Sequence, residues 1–208
     1  NDDWKVSEVL LANLFQKHNY GQQTTLGTIE HLKNPSLKEI RKYYYTYYVP
    51  NNMCMILVGD FDPDKVIKQI DEKFGNFTSK EVTPYVAPQE AEITTPIEKT
   101  VYGPKDEWVS LGFRFPGAKT KEANLLQFAD RLLANGTAGL LDINVVQKQK
   151  ALFAASYVQT MKDYSVHFYD GKPKQGQTLD EVKNLILNEI ENLKKGNGRT
   201  PMGFRIHC

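Results

Sequence analysis

Long apolar runs are missing from this sequence. None approaches the roughly 18 residues that a membrane-spanning helix needs, so no span is expected. An excess of charge of one sign is missing too. Lys and Arg number 26 against 25 Asp and Glu, so the chain lacks the basic field that nucleic-acid binding requires, and no nucleic-acid partner is expected. Cysteine is scarce: the two residues, Cys54 and Cys208, make neither a disulfide framework nor a zinc ribbon. Cys54 reads instead as a small core residue within an apolar run. Of the four histidines, His18, His31, His167 and His207, no two lie within five positions of each other. A pair of imidazoles one helical turn apart, the commonest base for a zinc site, is therefore excluded. Asn1-Asp2-Asp3 has none of the features of a signal peptide.

What is present suits an ordinary globular protein. With 208 residues, 40% hydrophobic and 11% aromatic, the chain can bury a sizeable core as one large domain or two modest ones. It opens already inside a helical pattern, Val6, Val9, Leu10 and Leu14 on one face, which leads us to expect further sequence upstream. A turn-rich stretch with Gly21 and Gly27 follows. Ser36 and Glu39 then have the spacing of a capping box, and Leu37, Ile40, Tyr44 and Tyr47 share a helical face that Pro50 ends. Tyr44, Tyr47 and Tyr48 are expected in the core with their hydroxyls at its rim. "NNMCMILVGD" predicts a buried strand.

The next residues raise a choice, because Asp60, Asp62 and Asp64 alternate as metal-binding carboxylates do. Asp62 sits where a helix N-cap belongs, with Pro63 at the first helical position and Asp64 at the positive end of the dipole. A helix-loop-helix calcium site would require Gly and Glu where this chain has Lys65 and Asp71. The cap is the reading adopted. Val66, Ile67, Ile70 and Phe74 give that helix its apolar face. Residues 76–95, with Pro84 and Pro88 and no periodicity, read as a surface linker. The expected organisation is thus 1–80, a linker 81–95, and 96–208.

In the second part, Val109, Leu111, Phe113 and Phe115 alternate with Ser110, Gly112 and Arg114 as in a half-buried strand. A helix from Thr120 is expected to turn Leu125, Phe128, Ala129, Leu132 and Leu133 inward. Asn135-Gly136-Thr137-Ala138-Gly139 reads as a helix end and a new N-cap at Thr137, opening a helix to about Lys150. Two strands turned at Lys162-Asp163 and a final helix, boxed by Thr178 and Glu181 and stopped by Gly196, complete an α+β fold in both parts, with mainly antiparallel sheets. The tail "GNGRTPMGFRIHC" loses this pattern, as a truncation or a reading-frame artefact would.

Tyr20-Gly21, "TTLGTIEHL", the tyrosine-rich helix ending in "YYVPNNM" and "VGDFDPDKVI" closing in "FG" together resemble the catalytic-type domain of the pitrilysin/insulinase family of zinc metallopeptidases, the inverzincins. "LGFRFPG", "LLANGTAGLLD", "QKQKALFAASY" and "GKPKQGQTLDEV" resemble the domain that follows it. The resemblance runs from Trp4 to Gly196. It implies a fragment of a peptidase built from repeated α+β domains that form a clamshell, enclose peptides and hydrolyse them with one zinc ion, the other half or a partner subunit completing the chamber.

Family chemistry needs His-x-x-Glu-His, two neutral imidazoles on Zn²⁺ and a carboxylate to take the proton of its water. This sequence lacks it. "GTIEH" is a decoy, with Gly27 in place of the first histidine, and the family's third ligand, a glutamate upstream of the position matched by Trp4, has no counterpart in Asp2, Asp3 or Glu8. No catalytic residue and no zinc are therefore expected in this chain, although the parent protein would carry zinc. The family's substrate-holding arginine and tyrosine are not matched either, since His167 stands at the arginine's place. By position, Asn135, Gly136, Thr137 and Gly139 resemble a substrate-handling loop, and these with His167 are the candidate peptide contacts. The parent is expected to be an active peptidase or, alternatively, an inactive relative serving as a scaffold.

Overall fold

The computed structural model describes residues 1–196; the atypical tail beyond Gly196 lies outside them. The alternating stretch after Trp108 forms strand β1 (Val109–Pro116), and the two later runs form β2 (Phe153–Thr160) and β3 (Tyr164–Lys172). They make one antiparallel sheet in the order β1-β3-β2. Its register sets Phe113 and Val158 on either side of His167, and Ser110 and Ala155 on either side of Asp170. The central strand β3 is thus paired along both edges, which satisfies its backbone donors and acceptors.

Both faces of the sheet are covered. Tyr169 and Ala154 point to a core shared with Leu133, Leu141, Val145, Val182 and Ile186, drawn partly from helices α6 (Lys121–Leu133) and α7 (Leu179–Lys194). On the other face Val166 and Phe168 pack with Leu14 and Phe15, at the end of helix α1 (Asp2–Leu14). The approach of α1 is close: a Cβ on Gly112 would lie 2.5 Å from the Leu10 side chain. Only glycine lets the helix rest on the strand there.

Helix α6 turns a different face inward from the one expected. Ala123, Leu126 and Leu133 are buried, whereas Leu125 and Phe128 are exposed. Thr120 caps the helix by accepting from the Ala123 N–H, and the inward stripe runs Ala123, Leu126 and Leu133, with Asp130 half-buried beside it. The most apolar stripe loses because Asp130 is drawn inward by polar partners on the sheet. The segment after it also departs from expectation. Instead of a helix to Lys150, there is a π-helical turn (Asp142–Val146), and the chain then turns at Gln149, φ 52°. Helix α7 is as expected: Thr178 N–H donates to Glu181 Oε2 at 2.7 Å and Glu181 N–H to Thr178 Oγ1 at 3.2 Å.

Contacts divide the chain into two compact units, residues 1–23 with 87 onward, and residues 24–86. This grouping differs from the contiguous division at residue 80, because α1 buries its apolar side on the sheet of the second part. Short helix α2 (Asn19–Gln22) belongs to the same unit as that sheet.

Residues 24–86 hold α3 (Ile29–Lys33), α4 (Leu37–Tyr47) and α5 (Pro63–Phe74). Ser36 caps α4 by accepting from Glu39 N–H. The expected buried strand is absent: residues 53–58 pair with no strand, Ile56 is 80% and Val58 94% exposed, and Cys54 is exposed rather than in a core. Tyr44, Tyr47 and Tyr48 are exposed as well, Tyr44 stacking on Tyr48 at 4.8 Å. The physical reason is that a strand buries its backbone only against a paired neighbour, and this unit contains no second strand among the described residues.

The aspartate question resolves as a cap. Asp62 Oδ1 accepts from the N–H groups of Asp64 and Lys65 at 3.1 and 3.3 Å. Asp62→Ala is expected to cost α5 about 0.5–2 kcal/mol, read as faster amide exchange across residues 63–74 with metal content unchanged.

Candidate functional site

The loop between α6 and the π-helical turn is organised by one carboxylate. Asp142 Oδ2 accepts from the N–H groups of Asn135, Thr137 and Gly139 at 3.0, 3.1 and 2.9 Å. Asn135 Oδ1 takes the N–H groups of Thr137 and Ala138 at 3.0 and 2.8 Å. The Asn135 side chain thus closes a turn within the loop, and the N-cap expected at Thr137 is absent, since helical residues begin only at Leu140 with no side-chain cap. Gly136 has φ 81°, and a Cβ on Gly139 would come 2.5 Å from the Leu133 carbonyl oxygen, so both glycines are required by the backbone path. Asn135, Gly136 and Thr137 face solvent, while Gly139 is buried.

His167 stands on the central strand, 2% exposed. Its Nε2 lies 3.0 Å from Asp130 Oδ1 and its Nδ1 2.9 Å from the Tyr169 hydroxyl. Ser156 Oγ donates to the same Asp130 oxygen at 2.6 Å. With Tyr169 donating to Nδ1, the neutral ring carries its proton on Nε2 and donates it to Asp130. Burial pushes the Asp130 carboxyl up, but the His167 and Ser156 hydrogen bonds outweigh it and hold the pKa below the usual value. Burial, with the Asp130 charge, raises the Tyr169 phenol. Among the described residues no hydrogen bond joins His167 to the 135–139 loop.

A second buried polar cluster joins residues far apart in the sequence. His18, 1% exposed, has Nε2 3.3 Å from Asp163 Oδ2 and accepts from Tyr20 N–H at Nδ1, 3.2 Å away. Glu90, in the stretch read as linker, accepts from the N–H groups of Lys17 and His18, both at 2.7 Å. Arg114 lies 3.8 Å from Glu90, donates to the Leu14 and Ala91 carbonyls and places its guanidinium 5.5 Å from the centre of the Tyr164 ring. Burial pushes the Glu90 carboxyl up, yet the two backbone donors and the Arg114 charge keep it low. A signal for this cluster did exist: Arg114 sits mid-strand between Phe113 and Phe115, where an unpaired charge would be costly.

The residues present do not fit a zinc site. No three His, Cys, Asp or Glu side chains are grouped to hold a metal among the described residues. In the decoy, Gly27 has φ 73° and Thr28 caps α3 by accepting from His31 N–H. No step through zinc is therefore derived for this chain.

This sheet-and-helix unit and its loop have counterparts in known proteins. Residues 35–200 match the family model described as the Peptidase M16 inactive domain. The chain thus belongs to the M16 peptidase family, the one to which the sequence resemblance pointed. A curated relative, the zinc protease PqqE of Helicobacter pylori, is 31% identical over 180 residues, which are 83% of this chain and 40% of that protein. The crystal structure of a protease from Helicobacter pylori matches with a TM-score of 0.66 at 24% identity, over 93% of this chain and 50% of the other. The first half of the periplasmic protease PqqL from Escherichia coli matches with a TM-score of 0.65 at 16% identity, over 94% and 43%. The chain therefore spans half or less of these relatives. No helix of the described residues is long and apolar enough to cross a membrane.

Proposed function

We propose that this chain is a non-catalytic portion of a zinc-dependent metalloendopeptidase, forming wall and frame of a chamber in which peptides are enclosed and hydrolysed. The observation that carries this reading is the fate of the histidines in the sheet-bearing unit. His18 and His167 are both spent on buried hydrogen bonds, leaving no imidazole pair to hold a metal among the described residues. The match to a domain described as inactive supports the same reading. Zinc and its general base are then supplied by another region of the parent, and the chamber is closed by the opposite half or by a partner subunit. Asn135, Gly136 and Thr137 are the peptide contacts in this reading, because they are exposed on a loop that is held rigid from below. Gly139 and His167 are buried and would act by fixing the loop and the sheet.

The test is elemental analysis with a fluorogenic peptide assay, run on this 208-residue chain and on the full-length parent. The chain alone is expected to hold no stoichiometric zinc and to cleave nothing, and the parent to hold zinc and cleave the peptide. Tightly held zinc in the chain, lost on His31→Ala, would overturn the reading. A zinc-free, inactive parent would favour a scaffold.

A further inference from the structure

At the end of the sheet where β1 and β2 begin and β3 ends, there is a cleft of about 450 Å³. It is lined by the aromatic residues Trp108 and Phe153 and by the acidic residues Asp3, Asp106 and Asp170. The indole is held in place: Trp108 Nε1 donates to Ser110 Oγ at 3.2 Å, and Ser110 in turn donates to Asp170 Oδ1. The strand register explains the alignment, since Ser110 lies directly opposite Asp170. One carboxylate oxygen of Asp170 is thus occupied by a hydroxyl, and no cation pairs with the group among the described residues.

The cleft holds two ammonium groups, and neither neutralises Asp170. Lys105 is engaged by Asp3. Lys172 is exposed, and its charge is felt at Asp3. Burial and the Asp3 charge instead push the Asp170 carboxyl up, against the Ser110 hydrogen bond. Such a partly buried carboxylate beside a fixed indole face is the arrangement that attracts an organic cation, through a charge-assisted hydrogen bond and a cation–π contact.

We propose that this cleft binds a guanidinium or ammonium group, with Asp170 as its carboxylate partner and Trp108 as its stacking face. The source we assign is an arginine or lysine side chain of a peptide, an assignment that rests on the peptidase reading above. The cation site itself does not rest on it.

Binding to the 208-residue chain, measured by calorimetry without any activity readout, tests both parts. The probes are the capped peptide acetyl-Ala-Arg-Ala-amide, its norleucine counterpart, and free agmatine. The arginine peptide is expected to bind at least about tenfold more tightly than the norleucine peptide, a gap of about 1.4 kcal/mol. Asp170→Asn keeps an acceptor for Ser110, so the sheet is preserved, and should remove that gap. Trp108→Leu should reduce it, and Lys172→Met should leave it or widen it. Equal binding of the two peptides, no binding of either, or an unchanged gap in Asp170→Asn overturns the site. Agmatine binding as tightly as the arginine peptide supports the cation site and overturns the peptide source. A zinc-free parent would count against the peptidase reading while leaving the cation measurement standing.

Discussion

Asp142→Ala is expected to destabilise the sheet-bearing unit by about 2–3 kcal/mol, because it removes a charged acceptor and leaves the buried Gly139 N–H without a partner. The carboxylate oxygen Oδ2 alone receives three backbone N–H groups, from Asn135, Thr137 and Gly139. A hydrogen bond to a charged group contributes about 1.5–3 kcal/mol net, and three that share an acceptor do not add fully. The Gly139 N–H is buried, so it would lose its partner without gaining water. Asp142→Asn keeps an oxygen in place and should cost less than half as much. Urea denaturation with an unchanged m-value, together with amide exchange at residues 135, 137 and 139, is the measurement. A loss below about 1 kcal/mol in the alanine variant would show that Asn135 holds the loop unaided. In the reading proposed here, a slackened loop would also weaken peptide contact in the parent protein.

Asp130→Ala should have a comparable effect, about 2–3 kcal/mol near neutral pH, because it strands the buried His167 Nε2 and removes the acceptor of the half-buried Ser156 hydroxyl. This effect carries a pH signature. The folded-state pKa of Asp130 is depressed below 3.8, so its contribution is present above that value and lost as pH falls through the lower folded pKa. The stability difference between the wild-type chain and Asp130→Asn should therefore shrink as pH falls below about 4. Glu90, also held low by its backbone donors and Arg114, steepens the acid limb in both proteins and cancels in the comparison. Tyr169 acts at the other end. Its folded pKa is raised above 10.0, so its contribution is complete below that value and is lost at higher pH, as the phenolate forms beside Asp130. Chemical denaturation at a series of pH values reads both limbs. A wild-type/Asn difference that stays constant into acid would mean that Asp130 is not the ionised acceptor for His167.

Local signals carried the helices. Thr178 with Glu181, Ser36, and Asp62 with Pro63 mark helix starts by satisfying N–H groups that no turn of helix can reach, and each caps its helix in the structure. The alternation at Val109–Phe115 carried β1 in the same way. What failed was anything that depended on which neighbour arrives. Residues 53–58 have the composition of a buried strand, but composition brings no hydrogen-bonding partner, and the segment lies open. In helix α6 Leu125 and Phe128, expected inward, are exposed, and Ala123 and Leu126 are buried instead.

The candidate sites divide along the same line. The loop at Asn135–Gly139 was visible because its glycines and its asparagine are short-range devices, although its anchor, Asp142, was not. His167 was a candidate peptide contact from the sequence, and it is buried between Asp130 and Tyr169. Of the Glu90–Arg114 cluster only the mid-strand arginine gave a signal, and the Asp170 cleft gave none, since their members lie 24 and 62 residues apart, from Glu90 to Arg114 and from Trp108 to Asp170. By itself, then, the sequence determined the helix caps, the strand alternation, the balance of charge and the lack of a paired-histidine motif, all set by residues within a few positions of one another. Only the tertiary structure decided which carboxylates are buried and what they hold, because desolvation and hydrogen-bond partners are properties of the packed neighbourhood rather than of the chain.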